Sequence, residues 1–119
     1  RMSNMTPELG NLISQSIIDE MVYLVGLDAY KRMIDTLARN TGSDLSQLIT
    51  HLQQNNWDAI FSQAHKVQGA AGLMGLSGLQ AACETIGDQA KVNRKTDHAE
   101  ATLQHIASGN IALLQRTLG

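Results

Sequence analysis

Proline, cysteine, phenylalanine and tryptophan each occur once in this chain. A lone proline argues against a turn-rich β fold, which collects proline, and agrees with helices, whose interiors exclude it. A lone cysteine, Cys83, allows no internal disulfide, no CxxC redox pair and no zinc spacing, and it suits a reducing compartment. With aromatics at 3 %, the core must be built from Leu, Ile, Val, Ala and Met, as in packed helices. A net charge of -2 gives no electrostatic footprint for nucleic acid or an anionic membrane. Direct membrane contact is not expected, because no apolar run approaches the roughly 20 residues a bilayer span requires. No secretory signal pattern opens the chain. Arg1-Met2 reads as a cloning scar, residues 1–5 as a tag or linker, and residues 1–119 as a single domain.

What is present is helical periodicity. Thr6-Pro7-Glu8 has the form of a helix start, with a threonine cap, proline in the first turn and an acid facing the helix dipole. Ile17, Ile18, Met21, Val22, Leu24 and Val25 recur at helical spacing until Gly26. Leu27, Tyr30, Ile34, Leu37, Thr41, Leu45, Leu48 and Leu52 follow in steps of three and four. Their phase carries across Thr41-Gly42-Ser43-Asp44, so this segment reads as one long helix with a weak point; two helices meeting there are the alternative. Asn55-Asn56 marks a stop and a new N-cap. From Trp57 the stripe is Ile60, Phe61, Ala64, Val67, Ala71 and Met74. Ser77 is placed to cap a helix that buries Leu79, Ala82, Cys83, Ile86 and Ala90. Lys91 to Lys95 form a basic connector, and Asp97 with Glu100 matches a capping box. The last helix carries Leu103, Ile106, Leu113, Leu114 and Leu118, with Ser108-Gly109-Asn110 as a kink. The expected fold is all-α: an antiparallel four-helix bundle with an additional N-terminal helical segment.

One stretch breaks the pattern. "AHKVQGAAGLMG" places Gly69, Gly72 and Gly75 behind His65 in a helix, and each mid-helix glycine costs ~1 kcal/mol relative to alanine. Asp58, Ser62, His65, Gly69 and Gly72 share a stripe turned away from the apolar one, so His65 should face solvent. A helical side chain leans over the turn before it, so position i+4 normally overhangs position i. Gly69 has nothing to overhang with, and Gly72 extends the bare strip. Ser62, Gly69 and Gly72 therefore read as a surface that admits a partner's backbone, while Gly75 ends the helix. An accessible imidazole offers an unprotonated ring nitrogen near neutral pH, which suits a nucleophile whose catalytic machinery comes from elsewhere. Lys66 and Gln68 flank it as a cation and an amide donor for a phosphoryl group.

"AHKVQGAAGLMGLSGLQAAC" resembles the signature of histidine-containing phosphotransfer (HPt) domains. The upstream "IIDEMVYLVGLDAYKRMIDTLARN" and "LQQNNWDAIFSQAHK" are similar to that family's earlier helices, and the likeness covers about residues 17–117. The resemblance implies a phosphorelay intermediate that is not an enzyme on its own. It would accept a phosphoryl group on His65 from a receiver-domain aspartate and pass it to a response-regulator aspartate. It implies no cofactor within the domain, with Mg²⁺ and the catalytic acids on the partner receivers. It also implies a cytoplasmic location, because the chain is most similar to HPt domains that end inner-membrane hybrid sensor kinases of the respiratory-control or trimethylamine-N-oxide-sensing type. Two positions depart from the family. Gln68 stands where lysine is common three residues after the histidine, and Gly87 where a Glu or Gln often reaches the ring.

Other readings are weaker on these residues. A histidine-kinase dimerisation pair would carry an acid directly after the histidine and a proline about five residues beyond, where Lys66 and Ala70 stand. A di-metal bundle needs inward Glu and Glu-x-x-His groups, and none is present. His51 reads as solvated. His98 and His105 share a face without an acid or cysteine to complete a ligand set, so no metal site is expected. The methionines form no cofactor box. A non-catalytic adaptor that binds receiver-like partners without phosphotransfer is the main alternative.

Overall fold

The computed structural model describes residues 5–119, and all regular structure among them is helical. A 3-10 turn, Pro7–Asn11, precedes five α-helices: α1, Gln15–Val25; α2, Leu27–Gln53; α3, Trp57–Leu73; α4, Ser77–Ala90; and α5, Ala99–Leu118. Helices α2 to α5 pack each against the next, and α5 closes on α2, which makes the antiparallel four-helix bundle. The closest pairing is α3 with α4. At 1.5 Å per residue α2 is about 40 Å long, and it sets the 42 Å long axis of the molecule. Leu48, Leu52, Ile60, Leu76, Leu79, Leu103, Ile106 and Leu114 are fully buried along the bundle axis; burying a side chain of this kind stabilises by roughly 1.5–3 kcal/mol.

The long-helix reading of α2 holds. No break occurs at Thr41-Gly42, because Thr41, Leu45 and Leu48 keep one buried face through it. Where helices do end, a left-handed residue stops them. Asn55 (φ 53°) follows α2, Gly75 (φ 80°) follows α3 and Asn93 (φ 57°) follows α4. At each end two backward N–H bonds satisfy the terminal carbonyls: Asn56 to His51 and Asn55 to Leu52, Leu76 to Ala71 and Gly75 to Gly72, Arg94 to Gln89 and Asn93 to Ala90. Lys95 also donates from Nζ to the Leu52 carbonyl (2.6 Å), and the Tyr30 hydroxyl donates to Met74 O (3.0 Å).

The N-terminal region departs from expectation. The helix start at Thr6-Pro7 runs only to Asn11, as a 3-10 turn, and α1 begins afresh after Ser14, whose Oγ accepts from Ile17 N. Of the α1 stripe, Ile18 is buried, but Leu24 (66 % exposed) and Val25 face solvent, as does Leu27. Among helices α1 leans chiefly on α2, so only one edge of it is covered. Met5, the last residue of the segment read as a tag or linker, is buried and takes a contact from Thr96 Oγ1 to its sulfur; residues 1–4, with Arg1-Met2, lie outside the described residues.

Two expected caps are also replaced. Ser77 is the first residue of α4 and makes no cap bond. The free amides there are met from outside the helix: Gly78 N by Leu12 O and Leu79 N by Asn110 Oδ1. Asp97 does not cap α5, which starts after a left-handed His98. The expected kink at Ser108-Gly109-Asn110 is instead an unbroken helix face onto which the 3-10 turn docks. Asn110 is fully buried and donates from Nδ2 to Leu9 O and Gly10 O. Gly109 and Gly78 give the turn room: a Cβ at Gly109 would lie 3.0 Å from Gly10 O, and one at Gly78 would fall on the Leu9 carbonyl.

Candidate functional site

Val67, Ala71 and Met74 seat α3 on the core, and this fixes the opposite face outward. Ser62, His65 and Gly69 are exposed on that face. Nothing lies within 4 Å of the position a Gly69 Cβ would take, so the approach to the imidazole from the following turn is open. Gly72 is different. It is half-buried, and a Cβ there would sit 2.7 Å from Gln80 Nε2 of α4. Gly72 therefore serves helix packing and does not extend the bare strip. The open strip continues instead to Leu73, 64 % exposed, at the next i+4 step. Leu73 borders a groove of about 510 Å³ between α2 and α3, lined by Met33, Leu37, Ala70 and Met74 among others.

The charge around His65 is not where the sequence put it. Lys66 points to α2 and pairs with Asp44 Oδ1 at 3.3 Å. Its neighbour Gln63 donates to the Asp44 carbonyl. Gln68 is half-buried and brings no charge. Phe61, expected in the buried stripe, lies 39 % exposed beside the imidazole. The two rings stack with centroids 6.2 Å apart and planes inclined by 18°, inside the range of favourable offset pairs. On α4 the phenyl ring meets Gly87, where an added Cβ would stand 3.6 Å from Phe61 Cδ1, in ordinary contact. Lys91, at the end of α4, holds Nζ 5.2 Å from the Phe61 ring centroid. Its ion pair with Asp88, 3.8 Å long between exposed side chains, is of the solvated kind worth ~0–1 kcal/mol. Trp57, Asp58, Phe61, Ser62, Lys91 and Asn93 border an open cleft of about 500 Å³ beside the histidine. The sequence signal that could have found Phe61 is its i-4 spacing from His65, and for Lys91 the i+4 spacing from Gly87.

The remaining candidates stay apart from this face. His51 is half-buried, not solvated, with Nδ1 enclosed and without a hydrogen-bond partner among the described residues. Among the described residues no group of three or more His, Cys, Asp or Glu comes together as a metal site, and no helix is long and apolar enough to cross a membrane. Cys83 is buried at the back of α4, where desolvation pushes its thiol up to about 12 and leaves it unreactive.

Comparison with known proteins bears on the family and the fold. The family model described as the Hpt domain matches residues 32–117. Among solved structures, histidine-containing phosphotransfer protein B from Pseudomonas aeruginosa has a similar fold, with a TM-score of 0.73 at 20 % identity over 87 % of this chain and 92 % of that one. Among curated proteins nothing matches.

Proposed function

Because the chain belongs to the Hpt-domain family, the histidine phosphotransfer modules of two-component signalling, we propose that His65 carries the phosphoryl group between two receiver domains. The observation that carries this reading is the exposed imidazole with open space at Gly69, one turn on. A helix gives up local stability at that glycine and gains an unobstructed path to the ring.

In the step proposed, the ring nitrogen without a hydrogen attacks the phosphorus of an aspartyl phosphate on the donor receiver. The P–N bond forms as the P–O bond to the carboxylate breaks, and the carboxylate leaves with the electron pair. The other ring nitrogen keeps its proton during attack and releases it to solvent afterwards. Transfer to the second receiver is the reverse reaction on a different carboxylate. Mg²⁺ and the acids that bind it belong to the receivers; the module contributes a nucleophile, its orientation and a docking face. That face is the exposed strip Ser62, His65 and Gly69, extended by Leu73 and the apolar groove beside it. The same reading places the module in the cytoplasm, serving a hybrid sensor kinase of the inner membrane and a response regulator.

The test is incubation with a receiver domain charged with labelled phosphoryl and Mg²⁺, native protein beside His65→Gln. Acid-labile, alkali-stable label on the native protein alone is expected. Equal label on both would move the acceptor elsewhere. No label on native protein that still binds the receiver would leave the adaptor reading in its place.

A further inference from the structure

The family resemblance leads one to expect a cation and a second side chain at the ring, yet neither Gln68 nor Gly87 provides one. Lys66, the adjacent cation, is drawn away to Asp44. The structure fills both vacancies from other positions. Phe61 comes from one turn earlier on α3 and lies against Gly87; Lys91 reaches back from the end of α4 over the same phenyl ring. The three side chains form a ladder, imidazole, phenyl and ammonium, with successive spacings of 6.2 and 5.2 Å. Resting on the assignment of His65 as phosphoacceptor, we propose that Phe61 is the positioning residue for its imidazole and that Lys91 supplies the positive charge to the phosphoryl group.

Three physical points carry this. An exposed histidine on a helix has several ring orientations, and a stacked neighbour selects among them without using a ring nitrogen. A hydrogen-bonding side chain would occupy one nitrogen; the phenyl face leaves both free, one to attack and one to release its proton. Second, a phosphoryl group on the imidazole brings negative charge to a surface that already carries Asp58 on the same stripe and exposes Glu84 and Asp88 on α4. Lys91 is one aromatic ring away, on a flexible stem, and its contact with Asp88 is loose enough to exchange. It contributes charge only. Third, the phenyl ring packs against the bare backbone at Gly87, where a Cβ would already touch it at 3.6 Å, so a longer side chain there would have to share the surface with Phe61.

The experiment uses the native chain, Phe61→Leu, Phe61→Trp, Lys91→Gln and Lys91→Arg, each checked for helical content. Ring-proton resonances of the four histidines are recorded, and phosphorylation by phosphoramidate, a small donor that needs no receiver, is followed by ³¹P NMR. Phe61→Leu should move the His65 ring signals downfield, leave those of His51, His98 and His105 in place, and slow phosphorylation about threefold. Phe61→Trp should keep the shielding. Lys91→Gln should leave the ring signals unmoved but slow phosphorylation about fivefold, with Lys91→Arg recovering most of the loss. Unmoved His65 signals in Phe61→Leu overturn the positioning role, and native rates in Lys91→Gln overturn the role of the charge. If native protein accepts phosphoryl from neither phosphoramidate nor a receiver, the phosphoacceptor assignment falls and the role of Lys91 with it, while the ring signals still decide Phe61.

Discussion

Gly69, in the middle of α3, and Gly78, in the first turn of α4, are both helical glycines, and the fold uses them in opposite ways. At Gly69 the missing side chain leaves empty space before a histidine. At Gly78 it leaves space that the Leu9 carbonyl fills completely. Around Gly78 every polar group near Asn110 has a partner: its Oδ1 receives Leu79 N at 2.8 Å, and its Nδ2 serves Leu9 O and Gly10 O at 2.8 and 2.9 Å. Around Gly69 the surface is left open, and on the proposed function this is where a receiver domain docks.

The largest effects should come from breaking the joint around Asn110. Asn110→Ala strands a buried amide and two carbonyls, and should lower unfolding free energy by about 4 kcal/mol. Gly78→Ala drives a methyl into the Leu9 carbonyl and should lower it by about 3 kcal/mol. Chemical denaturation measures both, and phosphoryl uptake per folded molecule should be unchanged; a loss of uptake would show that the two regions are coupled.

An intermediate effect tests the core that separates them. Burial pushes the Cys83 thiol up to about 12 in the fold, from an ordinary value of 9.0. Between those values the unfolded chain binds fewer protons than the native one, so stability falls as pH rises through the window and is fully present below it. The slope should approach 1.4 kcal/mol per pH unit. Buried Tyr30, also raised, acts in the same direction above pH 10.0. Denaturation midpoints of native protein and Cys83→Ala between pH 8 and 11 check this; parallel curves would remove the thiol from the account.

The smallest effect sharpens the comparison most. Gly69→Ala meets no atom and improves helix propensity, so it should raise stability by ~1 kcal/mol, while transfer from a charged receiver slows. Stability and activity moving in opposite senses, by calorimetry and label uptake, would identify the glycine as an access device. Unchanged uptake would reduce it to an unimproved helix position.

These contrasts mark what local pattern can and cannot disclose. The order of helices, the continuity of α2 through Gly42, the stop at Gly75 and the outward face of His65 all follow from periodicity and turn chemistry, which depend on near neighbours. Phe61 was misplaced because residues at the edge of an apolar stripe are buried or exposed according to the neighbouring helix, and against α4 at Gly87 the phenyl ring is only partly covered. Gly72 looks identical to Gly69 until Gln80 is brought across from α4. Lys66 is adjacent to the histidine in sequence but answers to Asp44 on α2. Ser77 and Asp97 have the composition of caps, yet the amides at the start of α4 are met by Leu12 and by Asn110 of α5. The bare histidine was legible; the side chains that surround it were set by tertiary contacts.

The bond from Asn110 to Leu9 spans 101 residues. Closing a loop of that length removes roughly 4 kcal/mol of chain entropy, and the return arrives only once the amide of Leu79 and the faces of α4 and α5 are already in register. The α3–α4 hairpin, by contrast, is made of contacts close in sequence, which form fast. As the chain leaves the ribosome, His65 and its neighbours can take their places while the final helix is still being made, and the N-terminal turn must wait for it. The face proposed to meet a receiver is assembled before the 3-10 turn has been fastened to α5.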